Sequence, residues 1–272
     1  MDGNVQVWNI ESGLSKIDLI GQRQGRSVAY SPCGKWIATG SREKKICVWD
    51  INSGVLDRVL YGVTEGIPSL QYSPDGQELI SVSYDGVIRI WDLTTGNGRD
   101  LWLDNSSIYL IRTLGYSPSG RLISDSCSGT RAVRIWDTSK DEPIYVLEHE
   151  KSVFFYAWSH CERWIATSCQ DSVWLWRRSE SDKAMEWNRA FVIRDFRGII
   201  NSINWKPNTL EFVTGCNDGS VRVWGLVEKA DDVWSAQLIW GNKCNVLAAS
   251  GSIISDAIRL SEANRQLLEQ HS

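Results

Sequence analysis

The chain has 272 residues, of which 42% are hydrophobic and 23% are charged, and its formal net charge is −4. These proportions are close to the globular average and exclude general disorder. A negative net charge, without any block of about five basic residues, disfavours nucleic acid as the main partner. The unusual residue is tryptophan, with 15 copies against five phenylalanines. Such frequent use of one bulky residue indicates that a single structural position recurs along the chain.

The sequence also allows expectations about membrane association, metal binding and cellular location. No uninterrupted apolar run approaches the ~20 residues of a membrane-spanning helix, and the first residues lack the pattern of a signal peptide. We therefore expect no membrane association and a cytoplasmic or nuclear location. The seven cysteines include no Cys-x-x-Cys pair, and the three histidines are scattered. The sequence thus predicts reduced thiols, no metal site and no cofactor.

A strand-like segment that ends in tryptophan recurs six times. The six repeat tryptophans are Trp8, Trp49, Trp91, Trp136, Trp176 and Trp224, separated in turn by 41, 42, 45, 40 and 48 residues. Upstream of the tryptophan, an aromatic residue and a Ser-Pro-x-Gly turn recur, as at residues 30–34 and 72–76. A second short apolar run follows, and a tight turn such as Asp85-Gly86 leads into the tryptophan segment. Each unit is therefore predicted to contain four short strands joined by turns.

These motifs, in fixed order at ~40–45-residue spacing, resemble the WD-repeat family of β-propellers. The resemblance covers residues 1–241 and implies an all-β propeller, with six closed blades or most of a seven-bladed ring. The first blade is predicted to be incomplete, because the chain opens at the hairpin before its third strand. Residues 242–272 are expected to form an extension with closing strands and a short helix over 261–270. Two alternatives remain: residues 243–258 complete the first blade, or the chain is a piece of a longer protein.

The stretch from residue 238 to residue 270 also resembles the C-terminal end of fungal multidomain proteins. Those proteins are similar to signal-sensing NTPases of the NACHT type and carry WD repeats last. This resemblance implies that the chain is the recognition end of a larger signalling protein.

The WD-repeat resemblance implies one structural network. In that family a histidine, a hydroxyl residue, the hairpin aspartate and the repeat tryptophan form a buried hydrogen-bonded set, matched here by His149, Thr167, Asp171 and Trp176. A histidine near an aspartate and a threonine could also indicate acyl transfer. No nucleophile elbow or oxyanion donor accompanies them, however. The resemblance therefore implies a structural role for this set, no catalytic residue and no enzyme.

The same resemblance places partner contacts on the propeller face that carries the hairpin turns. The matching residues beside the hairpins are Arg42, Tyr84, Gln170 and Asn217, and those at the start of the inner strands are Arg23, Tyr109, Lys151 and Arg197. Tyrosine and arginine are frequent interface anchors. The expected function is a non-catalytic protein-interaction or ligand-sensing module. The alternative is a scaffold subunit of a multiprotein complex of the ubiquitin ligase or RNA-processing type.

Overall fold

The computed structural model describes residues 5–9, 11–19, 24–101, 111–127, 131–140, 142–179, 186–230, 233–243 and 246–248. Every helix or strand assigned within these ranges is a β-strand. The chain divides into two compact units, Met1–Ser152 and Val153–Ser272. The predicted helix over 261–270 lies outside the described residues.

The first unit contains four antiparallel sheets, each built from consecutive strands. The first sheet has two strands, β1 (Val5–Trp8) and β2 (Ser15–Leu19). The second has β3 (Gly25–Tyr30), β4 (Trp36–Ser41), β5 (Ile46–Asp50) and β6 (Leu56–Leu60). The third has β7 (Ser69–Tyr72), β8 (Glu78–Val82), β9 (Ile88–Asp92) and β10 (Gly98–Leu101). The fourth has β11 (Ile111–Tyr116), β12 (Leu122–Cys127), β13 (Ala132–Asp137) and β14 (Pro143–Glu148).

The second unit contains two further antiparallel sheets. The fifth sheet has β15 (Val153–Trp158), β16 (Trp164–Cys169), β17 (Ser172–Arg178) and β18 (Trp187–Ile193). The sixth has β19 (Ile200–Trp205), β20 (Glu211–Cys216), β21 (Val221–Ala230), β22 (Val233–Lys243) and β23 (Val246–Ala248). The four-strand units predicted from the repeat are confirmed in sheets two to five. The short β23 pairs with β22 of its own sheet. Completion of the first sheet by residues 243–258 stays a prediction.

The turn between the first and second strand of a sheet is closed by its serine. In the second sheet, Ser31 Oγ accepts a hydrogen bond of 2.9 Å from the backbone N–H of Trp36. The N–H of Gly34, at φ 68°, donates to the Ser31 carbonyl. A residue with a Cβ is disfavoured at that angle, which explains the glycine of the motif. The serine bond recurs at Ser73, Ser117 and Ser159.

The second sheet is apolar on both faces because it packs between the first and the third sheet. In β5, Ile46 and Val48 belong to the core shared with the third sheet. The alternate residues Cys47 and Trp49 belong to the core shared with the first sheet. Successive side chains of a strand point to opposite faces, so one short strand contributes to two cores. This double burial is the physical reason why these strands read as near-continuous apolar runs.

Candidate functional site

The repeat tryptophan is tied to the second strand of its own sheet. In the second sheet, Trp49 Nε1 donates to Thr39 Oγ1 at 2.8 Å, and in the third Trp91 Nε1 donates to Ser81 Oγ at 2.9 Å. The corresponding donations from Trp176 to Thr167 and from Trp224 to Thr214 measure 3.2 and 3.1 Å. A buried indole N–H that lacks an acceptor is costly. The recurring hydroxyl residue therefore fixes the orientation of the ring.

The fourth sheet uses an aspartate instead of a hydroxyl residue. Asp125 is fully buried, and its Oδ1 accepts a 2.6 Å hydrogen bond from Trp136 Nε1. The guanidinium of Arg134, on the adjacent strand, donates to the same carboxylate at 2.6 Å. Burial raises the pKa of Asp125, and the charge of Arg134 lowers it part of the way back. The acidic group is thus held by two donors and belongs to the architecture of the sheet.

The four residues of the predicted histidine network fall in both compact units. His149 is in the first unit, where it is buried and its Nδ1 lies 2.8 Å from the carbonyl oxygen of Leu147. Thr167, Asp171 and Trp176 belong to the second unit, in which Asp171 is exposed at its turn and the other two are hydrogen-bonded to each other. The bond between Trp176 and Thr167 is present, and the complete four-residue network stays a prediction.

Replacement of the buried histidine tests that network. We expect His149→Ala to lower the free energy of unfolding by about 1–3 kcal/mol, because it empties a buried site and removes a hydrogen bond. The measurement is chemical denaturation at neutral pH, with His160→Ala as the exposed control. An unchanged midpoint in His149→Ala would contradict a structural role.

The turns between the second and third strands define what we call the hairpin end of each sheet: residues 41–45, 83–87, 170–171 and 216–220. At this end of the first unit, Arg42 is exposed and Tyr84 is half-buried. Gly66, from the loop between the second and third sheets, packs against both hairpins. A Cβ on Gly66 would lie 3.2 Å from both Arg42 Cα and Tyr84 Cδ2. The backbone N–H of Tyr84 also donates to the Gly66 carbonyl at 2.9 Å.

Two further contacts fix this loop on the hairpins. Lys44 Nζ lies 3.2 Å from Glu65 Oε1, and Thr64 Oγ1 donates to the carboxylate of Asp85. Burial acts to raise the pKa of Asp85, but hydrogen bonds from Ser83, Thr64 and the Val87 N–H outweigh it, so the pKa lies below its usual value. Asp85 is therefore an ionised acceptor at neutral pH. The loop, the two hairpins and their side chains form one ordered surface.

The hairpin end of the second unit has its own polar set. Gln170 is exposed at φ 52°, and Asn217 Oδ1 accepts a 3.0 Å hydrogen bond from Asn201 Nδ2. The side chain of Arg197 is exposed, and its backbone N–H donates to Asp218 Oδ2 at 3.3 Å. Burial acts to raise the pKa of Asp218. Hydrogen bonds to its carboxylate, led by that of Ser220, outweigh burial and lower the pKa strongly. The connection between the fifth and sixth sheets is thereby joined to the hairpin turn of the sixth.

The structure brings together only some of the predicted contact residues. The hairpins of Arg42 and Tyr84 both pack against Gly66 in the first unit, where Lys151 is also exposed. Arg23 and Tyr109 lie outside the described residues. Sequence reasoning missed Gly66, whose role depends on a contact between two sheets. It also missed Tyr61, which starts the same loop and exposes 73% of its surface.

The described residues hold no cluster of three or more His, Cys, Asp or Glu side chains with metal-binding geometry. In the same ranges no helix is long and apolar enough to cross a membrane. What the hairpin ends do offer is exposed arginine and amide groups and a half-buried tyrosine on turns held by hydrogen bonds. Such an arrangement is suited to recognition of another molecule.

Stacked antiparallel sheets of four strands, each carrying a tryptophan on its third strand, define the class of β-propeller repeat proteins. The WD domain, G-beta repeat family matches residues 18–50, 54–92, 141–177 and 191–225, together more than half of the chain. The chain belongs to the WD40 repeat family. Members of this family typically bind protein partners.

Individual relatives agree with this assignment. The chain is 24% identical over 164 residues to human Elongator complex protein 2, a match that covers 55% of this chain and 20% of the relative. It is 36% identical over 160 residues to the ribosome biogenesis protein WDR12 homolog of Nematostella vectensis, a match that covers 58% of this chain and 29% of the relative. These matches thus span less than a third of either relative. The crystal structure of the Myceliophteria thermophila Cps50 (Swd1) β-propeller domain superposes with a TM-score of 0.69 at 14% identity, covering 82% of this chain and 77% of that one, which supports the fold.

Proposed function

We propose that this chain is a non-catalytic protein-interaction module that binds a protein partner at its hairpin end. The observation that carries the proposal is the packing of Gly66 against both the Arg42 hairpin and the Tyr84 hairpin. Gly66 packs against the backbone of Arg42 and the ring of Tyr84, so that an exposed arginine and a half-buried tyrosine stand on two hairpins braced by the Lys44–Glu65 and Thr64–Asp85 contacts. Tyrosine and arginine provide much of the binding energy at many interfaces. Anchors that are ordered before binding lose little entropy when the partner arrives.

The role of scaffold subunit in a multiprotein complex is favoured by the relatives. One of them is named as a component of the Elongator complex and another as a ribosome biogenesis protein. A scaffold must hold more than one partner, and a repeat fold supplies several similar surfaces. The competing role, as the recognition end of a signalling protein, depends on the C-terminal resemblance, most of which concerns residues outside the described ranges. A longer reading frame with a nucleotide-binding loop upstream would favour that role.

The test is affinity purification followed by mass spectrometry with the tagged chain and its Arg42→Ala, Tyr84→Ala double variant. We expect specific partners to be depleted about tenfold or more in the variant, because both anchors of one surface are removed. The matched control is the Tyr30→Ala, Arg121→Ala double variant, which removes an exposed tyrosine and an exposed arginine at the other end of the strands. Equal recovery of all partners by both double variants would refute the hairpin end of the first unit as the binding site.

A further inference from the structure

A small cavity of about 240 Å³ is lined by residues of the second and third sheets, at the end of the strands opposite the hairpin end. The second sheet contributes Trp36, Val48, Asp57 and Arg58 to its walls, and the third contributes Tyr72. We call this space, defined by these five residues, the Tyr72 cavity. Sites that enclose a whole small-molecule ligand usually measure about 300–1,000 Å³. The Tyr72 cavity is therefore suited to a single inserted side chain.

The hydroxyl of Tyr72 is an unsatisfied polar group in this cavity. Tyr72 exposes only 4% of its surface, and its hydroxyl has no hydrogen-bond partner among the described residues. Burial raises the pKa of Tyr72, so the hydroxyl keeps its proton at neutral pH and can act as a donor. A buried donor without an acceptor is costly. A group that brings an acceptor into the cavity would remove that cost.

The next pair of sheets shows which acceptor this tyrosine position takes. Tyr116 ends β11 as Tyr72 ends β7, and the Tyr116 hydroxyl donates to Glu78 Oε2 at 3.2 Å. Glu78 is the first residue of β8, in the preceding sheet. The first residue of β4, at the equivalent place before Tyr72, is Trp36, whose side chain has no acceptor atom. The chain therefore supplies a carboxylate to Tyr116, whereas at Tyr72 the place of that acid is taken by an indole.

An arginine near each of the two tyrosines is repeated as well. Arg99, on the fourth strand of the third sheet, donates to the Thr138 carbonyl at 2.6 Å. Arg58, at the same register in the second sheet, donates to the Leu93 carbonyl and to the carboxylate of Asp57. A guanidinium has five N–H donors, so Arg58 keeps both bonds and retains donors for a further carboxylate. The Tyr72 cavity thus reproduces the tyrosine and the arginine of the next site but lacks the acceptor of the hydroxyl.

We propose that the Tyr72 cavity binds the carboxylate of a glutamate side chain presented by a protein partner. That carboxylate accepts a hydrogen bond from the Tyr72 hydroxyl, as Glu78 does from Tyr116, and lies beside Arg58. A free acid small enough to fit makes few other contacts. A side chain also brings its own protein against the exposed Gln77 and Thr94 that line the cavity. This site lies opposite the hairpin end and does not depend on the function proposed above.

Two matched substitutions test whether the Tyr72 hydroxyl lacks an acceptor in the free chain. Tyr72→Phe removes a donor without a partner and should leave the melting temperature unchanged or raise it. Tyr116→Phe removes the same hydroxyl where Glu78 accepts its hydrogen bond, and should lower the melting temperature by about 2 °C or more. The measurement is differential scanning calorimetry of the full chain. Equal losses in the two variants would show that Tyr72 is already satisfied and would overturn the proposal.

Binding is measured by NMR titration of the full chain, labelled with ¹⁵N in its tryptophans, with the capped peptide Gly-Ser-Glu-Ser-Gly. The reporter is the indole signal of Trp36, assigned with Trp36→Phe, which should shift until the site is saturated. Tyr72→Phe should raise Kd about tenfold or more, because a hydrogen bond to a charged group is lost. The matched control, Tyr116→Phe, should stay within about twofold of the unmodified chain. The Arg42→Ala, Tyr84→Ala variant should also bind normally, which separates this proposal from the one on the hairpin end.

Three results of the titration would overturn the proposal. The first is equal affinity for the capped peptide Gly-Ser-Gln-Ser-Gly, which would show that the negative charge is not recognised. The second is an unchanged Kd in Tyr72→Phe when calorimetry shows that variant to be folded. The third is a response of the Trp36 signal to acetate but not to the glutamate peptide, which would assign the cavity to small free acids.

Discussion

Trp91→Ala should lower the free energy of unfolding by about 3–5 kcal/mol, the usual cost of removing a large buried aromatic side chain. Trp91 is almost completely buried in the core between the second and third sheets. Its Nε1 donates to Ser81 at 2.9 Å, so the substitution also leaves that hydroxyl without its partner. The measurement is equilibrium denaturation in urea, monitored by circular dichroism and by fluorescence.

The same substitution at the first repeat position provides the control. Trp8 occupies the same motif but exposes 56% of its surface, because no sheet among the described residues precedes the first one. Trp8→Ala should therefore cost only about 1 kcal/mol or less. Equal losses in the two variants would show that burial between sheets does not decide the contribution of the repeat tryptophan.

Asp125→Ser should be almost as damaging, with an expected loss of about 3–5 kcal/mol, because it leaves the Arg134 guanidinium without its buried counterion. The serine hydroxyl can still accept from Trp136, as Ser81 does from Trp91 in the third sheet. The loss therefore measures the charge pair rather than the indole bond. Thermal and urea unfolding of the variant would provide the value.

The third sheet offers a matched rescue for this substitution. There Arg89 is paired with Asp100 on the fourth strand, and Ser81 stands opposite Arg89. The position of Asp100 corresponds in the fourth sheet to Val146, which is opposite Arg134 and 50% exposed. Adding Val146→Asp to Asp125→Ser should restore part of the lost stability by giving Arg134 a new counterion. A double variant no more stable than Asp125→Ser would indicate that the carboxylate must be buried.

The recurring sequence motifs predicted most of the local structure. The second strand expected from residue 36 is β4 (Trp36–Ser41), and the one expected from residue 164 is β16 (Trp164–Cys169). Such agreement has a local cause: the aromatic residue, the serine hydroxyl and the glycine at positive φ fix each turn within a few residues of chain. The hydroxyl acceptor of the repeat tryptophan could also be recognised, since it lies nine or ten positions upstream wherever a Ser or Thr is used.

The candidate binding surfaces could be predicted only in part. Arg42 and Tyr84 were identified from their places beside the hairpin turns, but the packing of Gly66 against both hairpins needed two sheets in position. Trp234 lies outside the repeat positions, so its stacking on Arg177 and Trp164 had no pattern to reveal it. The role of Asp125 was missed as well. It occupies the position that holds a Ser or Thr in other sheets, and the ion pair with Arg134 that explains a carboxylate there is visible only in the structure.

The sequence by itself determined the repeat, its strands and turns, and with them the WD40 family and the propeller class. It did so because period, turn chemistry and strand alternation are local properties that are repeated along the chain. The tertiary structure alone decided which tryptophans are buried and which arginines are paired. It also decided which cationic side chains stack on aromatic rings, as Arg177 does on Trp164 and Trp234. These properties depend on the packing of one sheet against the next. Repeats with the same sequence motif therefore differ in burial according to their position in the chain. The tryptophan excess is thus mainly a feature of the scaffold.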